Sequence, residues 1–151
     1  MNYLKEVMMI DTVKLTMNLS KPLRGSDLDF QLFRERAKGV IQGIYNPTAK
    51  MKETGKYYPR LTYIERPVRG GGKSYQLAVE FSIPKLVFNN NFDELTDEDF
   101  PVVLKTLSGV LREMKSLWLF TCQIEKLEVS KIDYSRNHFS HTHERIRYCT
   151  L

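Results

Sequence analysis

The sequence has few of the residues that mark secreted, zinc-bound or membrane-spanning proteins. Only two of its 151 residues are cysteine, and Cys122 and Cys149 have neither the number nor the spacing of a disulfide framework or a zinc site. No stretch approaches the roughly 20 apolar residues that span a bilayer. The N-terminus also lacks the basic-then-apolar order of a signal peptide. We therefore expect a protein of the reducing cytoplasm that has no membrane partner.

Acidic residues are scarce in the first half of the chain. Residues 1–75 hold fourteen Lys or Arg against seven Asp or Glu, residues 76–113 three against seven, and residues 114–151 six against four. The net charge of +5 is therefore concentrated in the amino-terminal half. Such a basic half is typical of proteins that bind a polyanion such as nucleic acid, although solubility alone also explains a modest excess.

Apolar residues make up 42% of the chain, enough for the core of one domain. The clearest pattern lies between Leu77 and Leu107, where apolar alternation predicts a half-buried strand that ends at Pro84 and an Asn-rich turn after it. A helix from Thr96 to Lys115 follows, because Thr96 and Asp99 resemble a capping box. Its apolar face, which we expect to pack on a sheet, consists of Phe100, Val103, Leu104, Leu107, Val110, Leu111 and Met114.

Weaker patterns predict the remaining elements. Ser26 is a candidate N-cap for a short helix through Leu28, Leu32 and Phe33, the residues from 45 to 57 suggest a basic loop, and residues 85–88 a short apolar continuation of the strand before them. Alternating segments predict further strands at residues 7–19 (with Val13, Leu15 and Met17 inward), 40–44, 58–67, 117–120 and 129–134.

A glycine-rich turn joins the strand at residues 58–67 to the strand at Leu77. The turn, Arg69-Gly70-Gly71-Gly72-Lys73, lacks the spacing and the following helix of a nucleotide phosphate loop, so it predicts a β-hairpin. Cations on such a hairpin bind nucleic-acid phosphates with strong salt dependence and no base specificity; the alternative is a solvated basic loop. The candidate DNA-binding residues are Arg60, Arg66, Arg69 and Lys73.

Two carboxylates and one tyrosine are candidates for chemistry. Glu80 lies on the polar side of its predicted strand, where a solvent-facing side chain is the alternative. Asp133 shares a predicted strand face with Val129 and Lys131; it is either an edge residue in water or a metal or catalytic carboxylate. Tyr134, on the other face, is a nucleophile candidate by residue type only, because most strand tyrosines pack their ring.

The last fifteen residues change in character. His138, His141 and His143 fall within six residues, and the last two have the spacing by which imidazoles share a divalent ion. A polar tail that is merely rich in histidine is the favoured interpretation. We therefore predict one domain over residues 1–136 and a divergent tail, with no ordered structure predicted, over residues 137–151.

Taken together, these segments resemble the amino-terminal part of phage and plasmid rolling-circle replication initiators related to the filamentous-phage gene II protein. The similarity covers roughly residues 9 to 137, and its most specific part is the block from Glu80 to Pro101. The matching segments are MIDTVKLTM, YYPRLTYIERP, LAVEFSIPKL, NNNFDEL, DEDFP and VSKIDYSRN. Members of this family are longer and carry their nucleophilic tyrosine in a part that has no counterpart here.

The resemblance implies a function and a cofactor. Initiators of this kind bind a replication origin and use a divalent metal, Mg²⁺ or Mn²⁺, while a tyrosine attacks the scissile phosphate. Their metal lies on an antiparallel sheet, which makes Glu80 and Asp133 the candidate ligands here. His141 and His143 lie beyond the matched region and are not assigned.

We therefore expect an α+β domain with an antiparallel sheet covered by one main helix, as in part of a nickase-like initiator domain. The expected function is that of a DNA-engaging amino-terminal fragment of a rolling-circle initiator, inactive in nicking by itself. The alternative is a non-enzymatic DNA-binding or regulatory short product.

Overall fold

Alternating apolar residues build most of this fold into one antiparallel sheet. The computed structural model describes residues 6–23, 32–90, 95, 97–114, 126–139 and 145–148. Within this part of the chain, the elements are β1 (Glu6–Leu19), β2 (Leu32–Ala37), β3 (Val40–Tyr45), α1 (Ala49–Glu53), β4 (Arg60–Pro67), β5 (Lys73–Ser82), α2 (Ile83–Phe88), a 3₁₀ turn (Asp97–Asp99), α3 (Phe100–Glu113), β6 (Glu128–Phe139) and β7 (Arg145–Tyr148).

All neighbouring strands are antiparallel, and their order across the sheet is β2-β3-β4-β5-β1-β6-β7. The predicted α+β class with an antiparallel sheet is therefore confirmed. β6 runs across the boundary placed after residue 136, and β7 pairs with its end. The division of the chain into a domain and a tail stays a prediction.

One face of the sheet, called the inner face, holds the core. Every second residue of the central strands is buried there, as the period-two pattern predicts. α3 adds four residues to the same cluster, so it covers the inner face. The strand residues of this cluster are Val13, Leu15, Met17, Tyr45, Leu61, Tyr63, Leu77, Val79 and Phe81, and those of α3 and its end are Val103, Leu107, Leu111 and Met114.

The predicted apolar face of α3 was too wide. Phe100 and Leu104 keep about half of their surface exposed, at 46% and 51%. The buried side of the helix is the narrower row, at spacings of four, of Val103, Leu107 and Leu111, and the other two residues lie beside this row. The helix begins at Phe100 after the 3₁₀ turn, with Pro101 in its first turn. The predicted cap at Thr96 lies outside the described residues, as does the strand predicted at residues 117–120.

The apolar segment after Pro84 is a helix, and its prediction as an extended continuation was wrong. Pro84 lies in the first turn of α2, where its fixed φ suits a helix and its missing N–H costs nothing. Asn89 ends α2 in the left-handed conformation at φ 55°, which asparagine tolerates better than most residues. α2 buries Ile83 and Leu86 in the core, so these two residues contribute to the core from a helix and not from a strand.

Residues 32–37 form β2, and the prediction of a helix through Leu32 and Phe33 was wrong. The turn explains the difference: Gly39 has φ +75°, and its N–H donates to Glu35 Oε1 at 2.8 Å. Lys38 and Gly39 thus form a two-residue hairpin loop that pairs β2 with β3, and the ladder satisfies more backbone groups than one short helix. The predicted cap Ser26 lies outside the described residues.

The segment predicted as a basic loop contains α1. Thr48 caps this helix, because its Oγ1 accepts the N–H of Met51 at 3.2 Å. Met51 packs against the core cluster, while Lys50 and Lys52 remain exposed. The helix therefore anchors the connection between β3 and β4.

Irregular pairing with β1 changes which residues of β6 share a face of the sheet. Its register with β1 shifts between Lys14 and Leu15, so that Ile132 lies opposite Val13 and Val129 lies opposite Leu15. Val129 is thereby placed on the inner-face side with Ile132, and its predicted sharing of a face with Lys131 was wrong. A β-bulge inserts one extra residue and so reverses the alternation beyond it.

The carboxylate of Glu113 ties the end of α3 to the segment before β4, and we expect the Glu113→Gln variant to lose an acid-dependent stabilisation. Glu113 accepts hydrogen bonds from Lys56 Nζ at 3.0 Å and from the Tyr58 hydroxyl at 3.0 Å. These bonds, that of Lys56 first, lower the pKa of Glu113 from 4.5. The stabilisation is therefore present above about pH 4.5 and is lost as the pH falls through the lowered pKa.

Because both charges are largely exposed, the loss at pH 7 should not exceed about 1 kcal/mol. Urea unfolding of wild type and variant at pH 7 and pH 3 measures it. A difference that persists unchanged at pH 3 would contradict the assignment.

Candidate nucleic-acid interface

The face of the sheet opposite α3, called the open face, carries a row of charges. Arg60 lies opposite Glu80, Glu80 opposite Lys14, and Lys14 opposite Lys131. Directly opposed side chains in an antiparallel pair have Cβ atoms about 5 Å apart. One carboxylate is therefore surrounded by cations on neighbouring strands, and this row is positive.

Glu80 and Asp133 share the open face without meeting. Asp133 lies opposite Thr12 of β1, and Thr12 lies opposite Ser82. β1 therefore separates the two carboxylates by two strand spacings, about 10 Å. Asp133 accepts a hydrogen bond from Lys131 Nζ at 2.8 Å; this bond and the charge of Asp133 raise the pKa of Lys131, and Glu80 adds to the effect.

The predicted metal ligands do not fit a shared divalent ion as they are placed. Across the described ranges, no three His, Cys, Asp or Glu side chains gather in a group that could hold a metal. Glu80 has cations on both neighbouring strands, and Asp133 is already paired with Lys131. We therefore derive no chemical step from a metal. His141 and His143 lie outside the described residues, and His138 lies in β6.

The two tyrosines nearest this region are poor nucleophiles. Tyr134 lies opposite Ile10, which packs against the core cluster, so Tyr134 stands on the inner-face side of the sheet, away from Glu80. Tyr57 accepts the backbone N–H of Ser82 at 2.8 Å and completes the ladder of β5 beyond β4. Burial raises the pKa of Tyr57, and the charge of Glu80 adds to it, so its hydroxyl stays protonated at neutral pH.

The structure divides the four predicted DNA-binding cations. Arg66 and Arg69 are exposed at the tip of the β4–β5 hairpin. Arg60 begins β4 and lies six residues from Arg66, about 20 Å along the strand, beside Glu80. Lys73 donates to Glu65 Oε2 at 3.0 Å, and its ammonium is therefore already paired.

Glycine is required at the tip of this hairpin. Gly70, Gly71 and Gly72 have φ of 92°, 93° and 91°, a region that L side chains rarely adopt. Val68 N–H donates to Gly72 O at 3.3 Å, which closes the turn. The Gly-rich segment therefore makes a tight hairpin end that projects Arg69, and the hairpin prediction is confirmed.

Three exposed cations of β2 and its turn, Arg34, Arg36 and Lys38, lie at the same end of the sheet. The sequence interpretation had predicted a helix through Leu32 and Phe33, and it therefore missed the position of these cations. Arg34 is opposite Gln42, which is opposite Ile64. The dipeptide Lys38-Gly39 between two short apolar segments was the signal that could have revealed the hairpin.

Comparison of the chain with protein-family models, with curated proteins and with solved structures gave no match. The structure defines an α+β domain whose antiparallel sheet carries a row of cations on the face opposite α3. Among the helices in the described part of the chain, none has the length and apolar character needed to cross a membrane.

Proposed function

We propose that this domain engages DNA as the amino-terminal part of a rolling-circle replication initiator. The observation that carries the proposal is the position of Arg66 and Arg69, which are exposed at one end of a sheet whose open face bears a second positive row at Arg60 and Lys14. Guanidinium groups bind phosphate oxygens through paired hydrogen bonds. Two basic regions on one face suit a phosphate backbone that runs along the sheet.

The sequence resemblance supports the same function. Its most specific block, Glu80 to Pro101, contains the end of β5 and the start of α3, and its segment YYPRLTYIERP contains β4. Of the resembling segments, those at β1, β4, β5 and β6 belong to the sheet, whereas most of the described residues of the block from Glu80 to Pro101 belong to α2, the 3₁₀ turn and the start of α3. The initiator function is proposed from this correspondence together with the charge.

A second candidate is a DNA-binding or regulatory protein that does not nick DNA. The placement of Tyr134 on the inner-face side and the separation of Glu80 from Asp133 favour it over a complete nickase. Both candidates use the same DNA-binding surface, and neither is expected to nick DNA by itself. The same preparation can therefore test both.

The test measures binding of the purified chain to a fluorescein-labelled duplex and to its separated strands over a series of NaCl concentrations. For three to five phosphate contacts, log K should fall against log [NaCl] with a slope of about −3 to −5 on the duplex. Binding that is absent, or that does not respond to salt, would refute the proposal.

Supercoiled plasmid incubated with the chain and Mg²⁺ or Mn²⁺ tests both candidates against a third possibility, an active nicking enzyme. If the chain is an initiator fragment or a DNA-binding regulatory protein, we expect neither relaxed circular plasmid nor a covalent protein–DNA adduct. An adduct would instead identify the chain as a nicking enzyme. In that event, loss of the adduct in Glu80→Gln and Asp133→Asn with unchanged folding would assign these carboxylates to the reaction.

A further inference from the structure

The β2–β3 and β4–β5 turns lie side by side at one end of the sheet. Ile41 is opposite Glu65 in the β3–β4 ladder, so the chain reaches Gly39 where β4 reaches Pro67. The two turns are in contact there, because a Cβ added to Gly39 would lie 3.4 Å from Pro67 Cγ. The two hairpins therefore end side by side. We call this region the twin-turn end.

The twin-turn end has more cations than its acids can neutralise. It holds six Lys or Arg and two Glu. Glu65 is paired with Lys73 at 3.0 Å, and Glu35 Oε1 accepts the N–H of Gly39. Five cations at this end form no ion pair with the described residues: Arg34, Arg36, Lys38, Arg66 and Arg69.

β2 is an edge strand of the sheet, and this strand and its turn expose three of these cations. Its register with β3 shifts between Glu35 and Ala37, which leaves Arg36 as an extra residue without a partner in β3. A bulge of this kind bends an edge strand and redirects a side chain, and charge on an edge also discourages another strand from pairing. Arg34, Arg36 and Lys38 are all exposed.

The open face that leads away from this end favours contact with a backbone over contact with bases. On this side, the described positions of β2, β3, β4 and β5, and those of β1 from Thr12 to Asn18, include no aromatic ring on which a base could stack, as single-strand binding surfaces commonly have. Uncharged residues lie between the two positive regions instead, some polar and some apolar: Thr16, Thr62, Ile64, Gln76 and Ala78.

From these observations we infer that the twin-turn end is one phosphate-binding site, in which Arg34, Arg36 and Lys38 contact the nucleic-acid backbone together with Arg66 and Arg69. The inference rests on the proposed DNA-binding function and extends it to β2. The ligand is the phosphate backbone itself, and duplex and single-stranded probes distinguish its source.

The test compares the wild type with the triple variant R34Q/R36Q/K38Q on the labelled duplex and on its separated strands. Loss of three phosphate contacts should reduce the magnitude of the salt slope by about 2.7 on the duplex or about 2.1 on a single strand. The probe on which the triple variant loses the larger factor in affinity, at equal salt, identifies the form that the site prefers. All three side chains are exposed, so circular dichroism should report an unchanged fold.

A matched control removes the same charge elsewhere. K50Q/K52Q/K105Q removes three exposed cations from α1 and α3, and its salt slope should remain near that of the wild type. An equal loss in both triple variants would overturn the inference by showing an effect of net charge. So would a normal slope in R34Q/R36Q/K38Q beside a reduced slope in R66Q/R69Q, which would leave the proposed function intact.

Wild-type protein that binds neither probe would overturn both proposals. Vesicles of phosphatidylcholine with phosphatidylserine complete the design. Binding to these vesicles that is stronger than to DNA and is lost in R34Q/R36Q/K38Q would assign the cations to an anionic lipid surface and overturn the inference.

Discussion

Replacing Leu107 with alanine is expected to lower the free energy of unfolding by about 2–5 kcal/mol. Leu107 has no exposed surface and lies at the middle of the buried side of α3, within the cluster that joins this helix to the inner face. The loss combines the transfer energy of the removed methyl groups with the energy of the cavity that remains. Urea unfolding followed by circular dichroism gives the difference.

Leu104→Ala is the matched control, because it removes the same atoms from the same helix at a side chain that is 51% exposed. We expect it to change the free energy of unfolding by no more than about 0.5 kcal/mol. Similar losses in the two variants would mean that α3 does not rest on the sheet by its Leu107 side. The m-value should be unchanged in both variants if each unfolds in one transition.

Replacing Arg66 and Arg69 with glutamine is expected to reduce affinity for DNA about a hundredfold at moderate salt. Each of the two substitutions removes one charge-assisted contact with a phosphate. Such a contact contributes at least about 1.5 kcal/mol to the binding free energy, or roughly a tenfold change in affinity. The slope of log K against log [NaCl] should also fall in magnitude by about 1.8 on duplex DNA. Fluorescence anisotropy at several salt concentrations measures both quantities in one experiment.

Lys73→Gln supplies the control on the same hairpin. Its ammonium is held by Glu65, so removing it should change DNA affinity much less than removing Arg69. Glu65 also accepts a hydrogen bond from the buried Tyr63 hydroxyl at 3.0 Å, and this carboxylate keeps that partner in the variant. If K73Q weakens binding as much as R66Q/R69Q, the tip arginines are not the principal contacts.

The central strands and α3 could be predicted from the sequence because their patterns and their burial have the same period. Val13, Leu15 and Met17 alternate along β1, and all three are buried. Leu107 and Leu111 recur at helical spacing and are fully buried. Where one face of an element is buried in the core, the local pattern of apolar residues is enough to predict that element.

Elements at the margin of the sheet could not be predicted in the same way. Leu32 and Phe33 belong to an edge strand whose pairing with β3 depends on a turn at Gly39, and no local pattern outweighs the helix signal of their charged neighbours. Residues 83–88 are apolar without a clear period, and Pro84 permits either the end of a strand or the start of a helix. Tertiary packing decided both cases.

Individual residues of the candidate site were predicted from the sequence, but their arrangement across the sheet was not. Residue type and alternation placed Glu80 correctly on the polar side of β5, but no sequence pattern reveals that Lys14 and Arg60 flank it. That arrangement depends on register between strands far apart in the chain. The basic hairpin was recognised at Arg66 and Arg69, while the neighbouring cations of β2 needed the strand order to be known.

The central position of β1 has a consequence for how this chain acquires its structure. The first strand of the protein lies between β5 and β6, so that Val13 is flanked by Phe81 on one side and by Ile132 on the other. Contacts between residues so distant in sequence slow folding, because a long loop must close before they form. During synthesis, β1 therefore leaves the ribosome long before either neighbour exists, and one of its edges stays unpaired by β6 until the residues of that strand have been made.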